Sequence, residues 1–191
     1  MNVVSLFSGL GGLDKGFADT GYNIVWANDF DKYAVQTYKA NFGDHIVLGD
    51  INEIPLEIIP DCDILIGGFP CQPFSMMGQQ KGFEDTRGTL FFRIAEIVDD
   101  KIKRGKKPKA IILENVRSLR THNNGKTYKE IHRVLQDVLG YNVFCDILNS
   151  ADYSIGAPAF EQVESFRNSV HISGDRYTTV CIHFLLSSVH W

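Results

Sequence analysis

Short apolar runs bounded by polar turns recur along the chain: VVSLFS (3–8), NIVWAN (23–28), DILIGG (63–68), AIILEN (110–115) and NVFCDILN (142–149). Their length and β-branched content predict buried strands. Between them lie LDKGFADTG, YAVQTYKANFG, TLFFRIAEIVDDKIKR and TYKEIHRVLQDVLG, in which apolar residues return every three or four positions. That spacing predicts helices, the second closed by Gly43 and the fourth by Gly140. A further strand is expected to end in GDI (49–51). Strand–helix alternation of this kind predicts an α/β fold with a doubly wound, mostly parallel sheet. Ligands of such sheets bind at the carboxyl ends of the strands. No internal repeat or low-complexity segment interrupts the pattern.

With 191 residues, 44% of them hydrophobic and 22% charged, the chain can bury one domain-sized core. No apolar run approaches the roughly 20 residues that span a bilayer. The start MNVVSLFSG has no basic leader, so a cytoplasmic location is expected. A formal net charge of −4 argues against a surface that grips nucleic acid everywhere, though it leaves room for a local basic patch. The densest basic run, KIKRGKKPK (101–109), reads as a solvated helix end and loop. The four cysteines lack the spacing of metal ligands, so no metal is expected. Three of them read as small buried hydrophobes. Cys71 differs, because it sits between Pro70 and Pro73 after a strand and a Gly-Gly pair.

Two clusters carry chemistry. In FSGLGGLDKGF (7–17), Gly9, Gly11 and Gly12 follow the first strand and open the first helix, leaving backbone bare for a ligand. Asp29 ends the next strand at about the spacing of a ribose-binding carboxylate, and Asp50 falls at the same edge. Together these three features suggest a nucleoside cofactor. The second cluster is Cys71 and Glu114, both at the ends of neighbouring strands. A thiolate attacks electrophiles, and a partly buried carboxyl can share a proton near neutrality.

FSGLGGLDKGF, GGFPCQPFS, KGFEDTRGTLFF and LENV, in this order, resemble the ordered motifs of the C5-cytosine-specific DNA methyltransferase family. The resemblance runs from about residue 3 to 154. It implies the Rossmann-like fold of S-adenosylmethionine-dependent methyltransferases, with S-adenosylhomocysteine as cofactor product. It implies contacts to that cofactor from Phe7, Gly9, Leu10 and Gly12, to its ribose from Asp29, and to its adenine from Asp50 and Ile51. Pro70 and Leu90 would also line the pocket. Cys71 would be the nucleophile, Glu114 the group at N3 of cytosine, and Asn115 a buried support of the loop. Residues 76–89 would close over a cytosine flipped from double-stranded DNA, in a restriction-modification setting.

After LNSADYS the family's pattern stops, which divides the chain into a catalytic part, 1–154, and a divergent tail, 155–191. The arginine-rich motif, the target recognition region and the C-terminal helix of the family are not recognisable. The expectation is therefore a truncated fold, weakly active or inactive alone. Such a chain would be a non-catalytic remnant or one subunit of a split enzyme whose companion carries the recognition region. The apolar stretch YTTVCIHFLL (177–186) can supply the missing strand. An RNA (tRNA) cytosine-5 methyltransferase would share these motifs. A dinucleotide dehydrogenase is disfavoured by the spacing of the glycines.

Overall fold

A computed structural model describes residues 1–69, 90–149 and 179–186 of the chain, the last segment as backbone. The strands are β1 (Asn2–Leu6), β2 (Asn23–Asp29), β3 (Ile46–Leu48), β4 (Ile64–Gly68), β5 (Ala110–Val116), β6 (Asn142–Asn149) and β7 (Thr179–Leu186). They form one sheet in the order β3-β2-β1-β4-β5-β7-β6. Every pairing is parallel. The helices are α1 (Gly12–Asp19), α2 (Lys32–Phe42), α3 (Leu90–Lys103) and α4 (Lys126–Arg133).

Alternate residues of each central strand serve opposite faces, as the pleat requires. Val4, Leu6, Leu65, Ile111 and Leu113 pack with Phe91, Ile94 and Val98 of α3 and Ile131 of α4. Val3, Ile64, Ile66, Ala110 and Ile112 pack on the other side with Phe17 of α1. Val35 and Tyr38 of α2 cover Ala27 and Ile46 on that side. Both faces of the central strands are thus covered, which accounts for their unbroken apolar sequences.

Several local features depart from the pattern. β1 stops at Leu6 because Phe7 takes a left-handed backbone (φ 55°) and turns the chain into the glycine loop. α4 loosens into a wider turn over Val134–Val138. Lys101 is not solvated but fully buried, its ammonium donating to the carbonyls of Ile59 (3.0 Å) and Pro60 (2.6 Å). It lies on the apolar stripe of α3, where its long stem packs like a hydrophobe and its head ties down the loop before β4. Thr179–Leu186 does form a strand, inserted between β5 and β6 in register with both. Among the described residues no helix is long and apolar enough to cross a membrane.

Candidate active site

Because all the strands run the same way, their carboxyl ends share one edge. The order of the strands reverses between β1 and β4, and the crevice opened there is where such sheets receive ligands. The glycine turn sits at this point. Gly9 (φ 54°) and Gly11 (φ 86°) are left-handed. A Cβ on Gly11 would run into the ring of Phe42, whereas Gly9 and Gly12 have open space on that side. Its left-handed backbone and the Phe42 ring together favour glycine at position 11. Gly9 and Gly12 leave a bare backbone facing the crevice, and beside them Leu10 is 63% exposed.

Neighbouring strand ends hold this turn in place. The amide of Gly9 donates to Asp29 Oδ2 (2.8 Å) and that of Asp31 to Asp29 Oδ1 (2.8 Å). Each carboxylate oxygen keeps a further lone pair for a ligand hydroxyl. The amide of Ser8 donates to the carbonyl of Asn28 (2.9 Å). Asp50 is exposed, its Oδ1 accepting from the amide and the side chain of Asn52 (2.9 Å each). Ile51 is buried, and its carbonyl accepts from Arg93 Nε (3.0 Å). Leu90 and Phe7 pack against the large core cluster. The structure thus gathers Phe7, Gly9, Leu10, Gly12, Asp29, Asp50 and Ile51 along one stretch of edge, with Leu90 opening α3.

Gly67 and Gly68, the pair that precedes the Pro-Cys stretch, have separate reasons. A Cβ on Gly67 would stand 2.9 Å from the backbone oxygen of Leu6 in β1. A Cβ on Gly68 would stand 2.8 Å from Glu114 Oε2, so the Glu114 carboxyl leans across β4 in the space a side chain would fill. Glu114 has no hydrogen-bond partner among the described residues, and burial raises its pKa above the ordinary 4.5. Asn115 is buried; its Nδ2 donates to the carbonyl of Phe69 (2.6 Å) and its Oδ1 accepts from the amide of Val116 (2.8 Å). Phe69 packs against Phe91. Pro70, Cys71 and residues 76–89 lie outside the described residues. The chain is fixed up to Phe69, two residues before the thiol.

A proton held more tightly by Glu114 in the folded state has a measurable consequence. Its contribution to stability is full below pH 4.5 and is lost as pH rises through the raised pKa. Glu114→Gln is expected to remove that dependence, so the variant gains on the wild type from pH 4.5 upward and then holds its lead. Unfolding midpoints of both proteins between pH 4 and 8 check this; a constant difference contradicts it.

Three residues of this edge escaped the sequence reading. Asp14 is fully buried and accepts hydrogen bonds from Ser5 Oγ (2.8 Å) and Tyr38 OH (2.7 Å), directly behind the glycine turn. Its signal was there: it lies three residues before Phe17, on the buried stripe of α1. Asn28 Nδ2 donates to the carbonyls of Val47 (3.0 Å) and Gly49 (2.9 Å), fixing the β3 end to the β2 end. Arg93 clamps the Ile51 and Ile54 carbonyls from α3. Neither of these two has a spacing that marks it. Among the described residues no group of His, Cys, Asp or Glu could hold a metal ion.

Comparison with known proteins names this arrangement. Residues 1–157 match the family model described as C-5 cytosine-specific DNA methylase. Type II methyltransferase M.NgoBI of Neisseria gonorrhoeae is 50% identical over 153 residues, covering 80% of this chain and 46% of that protein. Type II methyltransferase M.NgoFVII of the same organism is 42% identical over 179 residues, covering 93% of this chain, beyond the span of the family match, and 44% of its own. Among solved structures, S. pombe Dnmt2 methyltransferase superposes with a TM-score of 0.52 at 21% identity, over 70% of this chain and 39% of that one; this likeness concerns the fold. The chain spans about half the length of the curated relatives it matches. By the family match over most of its length, the chain belongs to the C-5 cytosine-specific DNA methylases.

Proposed function

We propose that the protein transfers a methyl group from S-adenosylmethionine to C5 of cytosine in double-stranded DNA. The observation that carries this reading is the convergence on one edge of a bare glycine turn braced by Asp29, the exposed Asp50, and the Glu114 carboxyl beside the chain that leads into Cys71. The crevice fits a nucleoside. Gly9 and Gly12 leave room for it, Asp29 keeps acceptors for ribose hydroxyls, and Asp50 with Ile51 stands where the adenine would lie. Phe7, Leu10, Pro70 and Leu90 would complete its walls. When bound, the cofactor supplies an electrophilic methyl on a sulfonium.

C5 of cytosine is too weak a nucleophile to take that methyl unaided. In this reading the Cys71 thiolate adds to C6 while Glu114 gives or shares a proton at N3, and the electron density of the resulting enamine gathers at C5. After C5 takes the methyl, the C5 proton passes to solvent and leaves its electron pair to the ring, the thiolate leaves C6, and the N3 proton returns to Glu114. The burial of Glu114 suits it to carry a proton at a pH where ordinary carboxyls are ionised. The cytosine must leave the helical stack to reach these groups, at about a few kcal/mol. Asn115 acts on the backbone at Phe69, setting the height from which Cys71 meets the ring.

In the same proposal residues 1–154 are the catalytic part, residues 155–191 contribute β7, and choice of a DNA sequence falls to a companion carrying a target recognition region. The test is transfer of labelled methyl from S-adenosylmethionine to duplex DNA, with tRNA in parallel and the product located by nucleoside digestion. Label in 5-methylcytosine of the duplex is expected, weak for this chain alone and stronger with the companion. Label in tRNA only, or on another base, refutes the reading.

A further inference from the structure

The chain has two basic runs, and they differ in what their charges do. In residues 101–109, five of the six cations are already engaged. Lys101 is buried on the Ile59 and Pro60 carbonyls, and Lys107 donates to the carbonyl of Gly140 (2.8 Å). Lys103 pairs with Asp99 (2.7 Å), Arg104 with Asp100 (2.8 Å) and Asp61 (3.1 Å), and Lys109 with Asp63 (3.0 Å). Residues 117–129, RSLRTHNNGKTYK, contain no acidic residue. Arg117, Arg120, Lys126 and Lys129 are all exposed, and none makes an ion pair among the described residues.

The second run is built rigidly and sits beside the site. It begins one residue after Val116 closes β5, two after Asn115, at the carboxyl edge. Two short 3-10 turns, Arg117–Arg120 and His122–Gly125, lead into α4. Asn123, Asn124 and Gly125 are successive left-handed residues (φ 51°, 55° and 77°), a costly reversal for the two asparagines. Buried Leu119 and Thr127 anchor the segment from within, with His122 Nδ1 and Thr127 Oγ1 2.7 Å apart. Arg117 and Arg120 are three apart on a 3-10 turn, so they share a side, as do Lys126 and Lys129 on α4.

Two of these cations stand where they cost stability. α4 follows Gly125 with no side-chain cap and no acid in its first turn, and Lys126 and Lys129 add positive charge at the positive end of the helix dipole. Unpaired cations on a braced, partly strained segment, in a chain of net charge −4, are placed for an external anion. We propose that Arg117, Arg120, Lys126 and Lys129 form the surface on which the phosphate backbone of duplex DNA lies next to the Glu114 edge. This rests on the functional reading above. These contacts would position the duplex without reading its bases.

The test is fluorescence anisotropy of the 191-residue chain with a labelled duplex of about 20 base pairs, at 50 to 300 mM salt, with S-adenosylmethionine binding measured alongside. Arg117→Gln/Arg120→Gln and Lys126→Glu/Lys129→Glu are each expected to weaken duplex binding about tenfold at 50 mM salt. Each should flatten the plot of log K against log salt by about two. Lys126→Glu/Lys129→Glu should at the same time raise the thermal midpoint, a gain that a merely structural role of the lysines would not give. The control Lys103→Gln/Arg104→Gln should leave binding unchanged. Equal losses in control and patch variants, or patch variants that bind like the wild type, overturn the proposal. So does tighter binding of duplex RNA than of duplex DNA. A wild-type chain that binds S-adenosylmethionine but no duplex refutes the surface alone; one that binds neither refutes the functional reading with it.

Discussion

Cys71→Ser is expected to abolish covalent capture of duplex DNA containing 5-fluorocytosine and to lower methyl transfer by a factor on the order of 10⁴ or more. Fluorine at C5 cannot depart as a cation, so a ring that has accepted the thiol and the methyl stays bonded through C6. A serine hydroxyl is far less ionised at neutral pH than a thiol and would not make that first bond at a useful rate. Phe69, two residues before the thiol, is held from two sides: Asn115 Nδ2 donates to its carbonyl at 2.6 Å, and its ring packs against Phe91. S-adenosylmethionine affinity should survive the substitution, since the glycine turn, Asp29 and Asp50 are untouched. Denaturing electrophoresis of wild type and variant with the fluorinated duplex makes the comparison. An adduct that persists in Cys71→Ser would remove the thiol from the mechanism.

Asp14→Ala is expected to cost on the order of 3–5 kcal/mol of folding stability. Five side chains depend on one another behind the glycine turn. Ser8 Oγ donates to Ser5 Oγ (3.0 Å), Ser5 Oγ donates to Asp14, Tyr38 OH donates to Asp14, and His45 Nε2 lies 3.0 Å from Tyr38 OH. Burial raises the pKa of Asp14, and the two hydroxyl donors oppose that rise. Alanine would leave both hydroxyls facing a dry void, the situation in which a lost partner is most expensive. Asp14→Asn should cost much less, because the hydroxyls can turn and accept from the new amide. Urea unfolding separates the two cases. Equal costs for Ala and Asn would mean that the ionised carboxylate, and not hydrogen-bond satisfaction, holds the network together.

Those residues also mark the limit of what the chain discloses before folding. The α/β alternation is legible because short-range spacing carries it, and the glycine turn, Asp29, Asp50 and Glu114 fall at the strand ends where that spacing puts them, while Cys71 lies outside the described residues. Gly43 is legible too: it ends α2 with a positive φ of 99°, as its place after the last apolar position suggests. What was missed depends on contacts between distant positions. Asn28 reaches 19 and 21 residues along the chain to Val47 and Gly49, and Arg93 reaches 42 residues back to Ile51. Lys101 misled because charge predicts solvent, whereas its place on the stripe of α3 decides for burial. The reasons for Gly67 and Gly68 were equally hidden, since each is dictated by a neighbouring strand.

The placement of β7 between β5 and β6 bears on how the protein is made. Synthesis reaches β6 first, yet among the described residues the strand that pairs with β6 is β7, which ends at Leu186. At ribosomal speeds of roughly 5–20 residues per second, about 2–7 s separate the two strands. During that interval β5 and β6 each present a row of free amides and carbonyls to the cell. β6 also packs on the body of the domain through Val143, Cys145 and Ile147. Closing the sheet therefore requires β7 to satisfy both of those rows at once.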